Sequence, residues 1–285
     1  LINNNINIGV VGLGLIGGSV AKAYKNTDNN NIYNIYGFDA DEAILSFAKL
    51  SGVIDGFLNI DNNINKCEAL FIALNPDDAL EYLEREGKNI AENTLVTDCC
   101  GVKRVICGKC FKIAEKHNFI FVGGHPMAGS HNAGFKNSRE NLFKGASMVL
   151  VPPVYDDAVL FGRIEELLKP LGFGRLTVTT AEKHDEIIAF SSQMAHIVSN
   201  AYIKSPAAKK HKGLSAGSYK DLTRVARLNP DMWSQLCMAN RDFLTAELDF
   251  FIKSLKDYRT ALVLGDINKL KELLGEGSRL KEELD

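Results

Sequence analysis

Short apolar runs alternate with amphipathic stretches through the first part of the chain. Ile6–Val11, Ile32–Asp39, Ala69–Leu74, Thr94–Asp98 and Phe119–Gly123 are rich in β-branched and aromatic residues and too short for helices, which predicts strands. The intervening stretches carry helix punctuation: Asp41–Leu50 runs into Ser51-Gly52, and a helix opening at Pro76 closes at Gly87. This alternation predicts βαβ units around a parallel sheet. Two more strands, Gly145–Val151 and Arg175–Thr180, flank a helix expected from Asp156 to Leu171. After Thr180 the pattern is helical only: Glu182–Lys204, a segment around Asp221–Arg227, a long stretch from Asp231 to Lys256, and Asp266–Glu283. An α/β domain over residues 1–179 and an all-α domain over residues 180–285 follow. Phe243, Leu244, Leu248, Phe251, Ile252 and Leu255 recur at helical spacing in the second domain, and such a stripe needs a partner, either the domain core or another subunit.

Composition agrees with two domains of ordinary size. The 285 residues are 46% hydrophobic and 24% charged with only 7 Pro, which excludes disordered and collagen-like classes. The net charge of −2 provides no general field for nucleic acid, so any anion must be bound locally. Leu1–Ala21 lacks charged side chains, but its run of Asn and Gly and the absence of a basic n-region mark a soluble strand and turn, not a membrane or targeting segment. Six irregularly spaced cysteines read as free thiols, and Cys107-Gly-Lys-Cys110 has no second ligand pair, so no metal site is expected. A cytoplasmic location is expected.

Gly12-Leu13-Gly14-Leu15-Ile16-Gly17 directly follows the first strand and opens a helix, the context in which G-x-G-x-x-G cradles a dinucleotide pyrophosphate. The helix start offers unpaired N–H groups and partial positive charge. Asp39 ends the second strand 22 positions after Gly17, where a carboxylate accepts from ribose hydroxyls. Ala40, Asp41 and Glu42 follow with no Arg to meet a 2′-phosphate, so NAD is expected over NADP. The first domain is therefore expected to be Rossmann-type. Pro76 and Asp98, near the carboxyl ends of the next strands, complete the expected cofactor set.

Ligands of open α/β sheets lie at those strand ends. There, Gly123-Gly-His125-Pro-Met-Ala-Gly-Ser130-His131 offers a histidine suited to general-base work, its ordinary pKa being about 6.5. Between Tyr202 and Arg227, seven Lys and Arg face one Asp, a local excess of six positive charges suited to a dianion.

Taken together, Gly12–Gly17, Thr97–Lys103, His125–Ser130, Leu142-Phe-x-Gly145, His184-Asp185, Ser192–His196, Tyr219–Arg224 and Asn229–Trp233 resemble the prephenate dehydrogenase family over essentially the whole chain. The resemblance implies oxidative decarboxylation of prephenate to 4-hydroxyphenylpyruvate with NAD, in tyrosine biosynthesis. It implies His125 as base, His196 as a second active-site histidine at the substrate ring, and Arg224 as a carboxylate ligand. Ser130, His131, Lys220 and Trp233 are the further substrate contacts expected. It also implies a homodimer formed through the helical domain. Departures occur at Gly101, where many members carry a serine hydroxyl that the neighbouring Cys100 could replace only weakly, at His131, and at Gln193 in place of a histidine. Arogenate dehydrogenase shares the mechanism and stays open as an alternative, as does a non-catalytic NAD sensor. No regulatory or mutase segment is expected on either side, which reads as a monofunctional enzyme.

Overall fold

The computed structural model describes residues 5–27, 32–59, 63–130 and 132–284. Eight strands form one sheet in the order β3-β2-β1-β4-β5-β6-β7-β8. They are β1 Ile6–Val11, β2 Tyr33–Phe38, β3 Gly56–Phe57, β4 Ala69–Ile72, β5 Leu95–Asp98, β6 Ile120–Pro126, β7 Ser147–Val151 and β8 Arg175–Val178. The pairs among β1 to β6 are all parallel. At the far edge β7 runs antiparallel to β6, and β8 is parallel to β7.

Helices α1 (Leu15–Lys25), α2 (Glu42–Leu50), α3 (Pro76–Glu86), α4 (Arg104–His117) and α5 (Ala158–Leu168) follow β1, β2, β4, β5 and β7. Side chains alternate across each strand, so the sheet has two apolar faces. Ile8, Val10, Phe71, Val122 and Leu150 pack with Val20 and Tyr24 of α1 and Leu160 and Ile164 of α5. Val11, Leu70, Ile72, Val96 and Phe121 pack with Leu80 and Leu83 of α3 and Ile106 and Cys110 of α4. The expected helix to Leu171 ends earlier as an α-helix because Pro170 tightens its last turn into a 3₁₀ segment, Lys169–Leu171.

The strand-to-helix change comes between Val178 and Ala181. The second part contains α6 (Ala181–Ile188), a π-helical segment Ala189–Met194, α7 (Ala195–Tyr202), α8 (Gly217–Thr223), α9 (Pro230–Ala239), α10 (Arg241–Leu264) and α11 (Ile267–Leu284). The single helix expected from Asp231 to Lys256 is broken at Asn240, whose backbone leaves the helical region (φ −123°, ψ 26°). Its side chain is sealed in polar contacts and holds the corner. The apolar stripe divides accordingly. Leu244 is buried against Ala189 and Met194 with Phe243 and Leu248 beside it, whereas Ile252 and Leu255 face outward. No helix among the described residues is long and apolar enough to cross a membrane.

Candidate active site at the domain junction

The three glycines after β1 have separate steric roles. Gly12 turns with φ +84°, and a Cβ there would lie 2.6 Å from the Ala73 carbonyl oxygen. A Cβ on Gly17 would lie 1.9 Å from the Gly12 carbonyl oxygen, so the helix can pack this tightly only with glycine. Gly14 has nothing within 4 Å of its Cβ position: this is the open side from which a pyrophosphate can approach the backbone. The helical ladder begins with Gly18 N–H donating to the Gly14 carbonyl, which leaves the N–H groups of Leu15, Ile16 and Gly17 without helical acceptors. Asp39 Oδ2 accepts from Leu13 N–H at 2.7 Å and Oδ1 from Asp41 N–H at 2.9 Å, which ties the loop to the end of β2. These residues fit a dinucleotide. Pro76 is the first residue of α3 and lines a cleft of about 400 Å³ with Asp77, Val105 and residues 234, 235, 238 and 239 of α9.

Asp98 departs from expectation. It is fully buried, with Oδ1 accepting from Gly124 N–H at 3.0 Å and Oδ2 accepting from Cys100 N–H at 2.8 Å and from the buried Lys103 ammonium. With both oxygens taken from inside, it splints β5 to β6 and presents no face to a cofactor. Burial, the largest single effect, would lower the Lys103 ammonium, but its neighbours together, the Asp98 carboxylate foremost, prevail and hold the group above its ordinary value. Cys100 points inward as well, its thiol donating to the Leu74 carbonyl, so it does not stand in for the missing hydroxyl at 101. Burial pushes the Cys99 and Cys107 thiols up to about 12.

His125 lies within β6, not after it as the sequence pattern suggested, because β7 pairs antiparallel along the outer side of β6 and carries the ladder to Pro126 (His125 opposite Val149). Its Nδ1 is 2.9 Å from Nε2 of His184, whose Nδ1 is 2.7 Å from Asp185 Oδ1. Its Nε2 faces the space at Gly101, where a Cβ would be 3.9 Å from that nitrogen and 3.5 Å from Leu236 of α9. Burial, with His184 and Lys103 close by, holds the His125 imidazole well below its ordinary value. It is therefore neutral, and competent as a base, near pH 7.

α9 also brings Trp233, whose ring lies 4.1 Å from that of His196 on α7. His196 Nδ1 donates to the Ser192 carbonyl at 2.8 Å, across the junction of the π segment with α7. Lys220 and Arg224 are exposed at the end of α8, and neither forms an ion pair among the described residues. Ser130 is exposed beyond β6, and the expectation for His131 falls outside the described residues.

The residues that join the two parts were not assigned from sequence. Asp185 is buried and accepts from the N–H groups of Lys103 (2.7 Å) and Arg104 (2.9 Å). Burial would raise its carboxyl, but the bonds from His184, Arg104 and Lys103 prevail and keep it below its ordinary value. Asn240 donates to the Asp185 carbonyl at 2.8 Å and to Gln193 Oε1 at 2.9 Å, and accepts from Arg104 at 2.9 Å. Gln193 donates in turn to the Leu236 carbonyl at 3.0 Å. The advance signals were the His184-Asp185 doublet, the Thr97–Lys103 motif and the departure at Gln193, and none of them carried a joining role.

Two family models match in tandem: the prephenate dehydrogenase nucleotide-binding domain over residues 20–177 and the prephenate dehydrogenase dimerization domain over residues 180–276. The chain belongs to the prephenate dehydrogenase family. Among members of the prephenate dehydrogenase family, that of Bacillus subtilis (strain 168) is 29% identical over 268 residues, covering 92% of this chain and 71% of the relative. A crystal structure of prephenate dehydrogenase from A. aeolicus, in complex with hydroxyphenyl propionate and NAD+, superimposes with TM-score 0.82 at 26% identity, covering 98% of each chain. Synechocystis arogenate dehydrogenase superimposes with TM-score 0.80 at 25% identity, covering 98% of this chain and 100% of the other.

Proposed function

We propose that this chain oxidatively decarboxylates prephenate to 4-hydroxyphenylpyruvate and CO2 with NAD, a step of tyrosine formation. The observation that carries the reading is His125: an imidazole at the carboxyl end of β6, held below its ordinary pKa by burial, its Nδ1 already engaged and its Nε2 on the side of Gly101, near Leu236 of α9. The family membership and the phenolic acid and NAD+ named for the A. aeolicus neighbour support the same chemistry.

Residues 12–17, Asp39 and Pro76 would hold NAD, which when bound would accept the hydride. His125 takes the ring hydroxyl proton, the carbinol hydrogen leaves as hydride, and the ring carboxylate departs as CO2 as the ring becomes aromatic. Aromatisation drives the reaction, so orientation and removal of one proton are the main demands on the protein. His196, its ring tilted against that of Trp233, meets the ring end of the substrate. Arg224, with Lys220 beside it, grips a carboxylate, and Ser130 borders the entrance. Two copies of the chain pair through α10 and α11, a reading supported by the description of the second family model and by the exposed Phe250, Leu255, Leu262 and Ile267.

The Synechocystis neighbour makes arogenate the competing substrate. The test is turnover of prephenate and of arogenate, each with NAD and NADP, by the wild type and by His125→Asn. Prephenate with NAD is expected to be the productive pair. The variant is expected to lose about 10²–10⁴-fold in kcat while still binding NAD. Preference for arogenate would transfer the mechanism to that substrate; NAD binding without turnover of either would leave a cofactor sensor.

A further inference from the structure

We propose that His184 and Asp185 are positioning residues for His125, fixing it in the tautomer whose Nε2 lone pair faces the substrate and sharing the charge it acquires. The proposal rests on the assignment of His125 as base. Its argument is one of donors and acceptors. The Asp185 carboxylate can only accept, and it already accepts the Lys103 and Arg104 N–H groups. The 2.7 Å contact therefore places a proton on His184 Nδ1. With that single proton on His184, its Nε2 is an acceptor, and the 2.9 Å contact with His125 then places the proton on Nδ1 of His125. Nε2 of His125 is then unprotonated, on the side where Gly101 leaves room. The opposite tautomer would set two lone pairs against each other across 2.9 Å.

The same chain handles the product of proton abstraction. When His125 Nε2 gains the hydroxyl proton, its Nδ1 proton is drawn toward His184 Nε2, while the other His184 proton stays on Nδ1, donated to the Asp185 carboxylate. One positive charge is spread over two rings that face one buried carboxylate. Among the described residues, the charged or titratable groups around His125 are His184 from α6, with Asp185 behind it, and Lys103 from the loop after β5, paired to the buried Asp98 of β5; its neighbours Val149 on β7 and Leu236 on α9 are apolar. The base thus comes from the first domain and its orienting pair from the second.

Two variants separate positioning from packing, because His184 is almost fully buried. His184→Phe keeps a ring but removes the acceptor; His184→Gln fills the space less well but keeps one. The expected result is a kcat about 10²-fold below wild type for Phe and within about tenfold for Gln, with the NAD KM unchanged in both. If His184 served only to pack, Phe would equal or exceed Gln, and that order would overturn the proposal. Long-range ¹H–¹⁵N spectra of the ring-labelled wild type at neutral pH supply a readout free of folding losses and of substrate. His125 protonated at Nδ1 supports the chain, and protonation at Nε2 overturns it. A protein inactive toward both prephenate and arogenate would refute the function proposed above while leaving this tautomer test intact.

Discussion

At the scale of single residues, Gly14 and Gly17 belong to one motif but face opposite constraints. Gly17 meets backbone and Gly14 meets nothing within 4 Å. Gly17→Ala is expected to force the α1 turn apart and lower the melting temperature by several degrees. Gly14→Ala is expected to melt with the wild type yet raise the NAD KM about tenfold or more, because the methyl occupies the face offered to the cofactor; thermal melts and initial rates check both. His125 yields a pH prediction. Its folded pKa is held below the ordinary 6.5, so kcat/KM is expected to stay level as the pH falls through 6.5 and to decline only below it; an acid limb at or above 6.5 in the rate profile would contradict this. Between the folded value and 6.5 the unfolded chain binds the proton first, so acidification through that window also erodes stability. The glycine motif was legible because its residues are contiguous. The His125–His184 pair was not, since 59 positions separate the two rings and no periodicity links a strand end to a helix start.

At the scale of elements, the corner between α9 and α10 shows why a continuous apolar pattern can conceal a break. The spacing of hydrophobic residues runs through residue 240, but Asn240 is polar, buried and fully engaged with Asp185, Gln193 and Arg104. Tertiary hydrogen bonding outweighs the local helical pattern there. Asn240→Ala would leave those three partners short of a bond and is expected to cost about 1–3 kcal/mol in denaturant unfolding. Asp242→Ala, two residues on, removes an exposed carboxylate from the same Arg104 guanidinium and is expected to cost less than about 1 kcal/mol. Equal losses would show that the corner is held by its outer ion pair. A comparable effect extends β6: its apolar run ends at Gly123, but pairing with β7 supplies the ladder that carries His125 into the sheet.

At the scale of the whole molecule, the order of strands and helices and the change of architecture near residue 180 could be read from periodicity, because each element buries one face at its own spacing. The arrangement of the second part could not, since helix packing depends on which faces remain uncovered. Phe250, Leu255, Leu262, Val263 and Ile267 remain exposed along α10 and at the start of α11. Sedimentation equilibrium is expected to give twice the mass of the chain, and Leu255→Lys combined with Leu262→Lys is expected to give the single-chain mass. The polar junction carries a different consequence, for recombination between relatives. Lys103, Arg104 and His125 come from the first domain, and His184, Asp185, Gln193 and Asn240 from the second, so a chimera cut at residue 180 divides one hydrogen-bonded unit. For such exchanges the heritable module is the seam, and a donor domain will function only with its matching half.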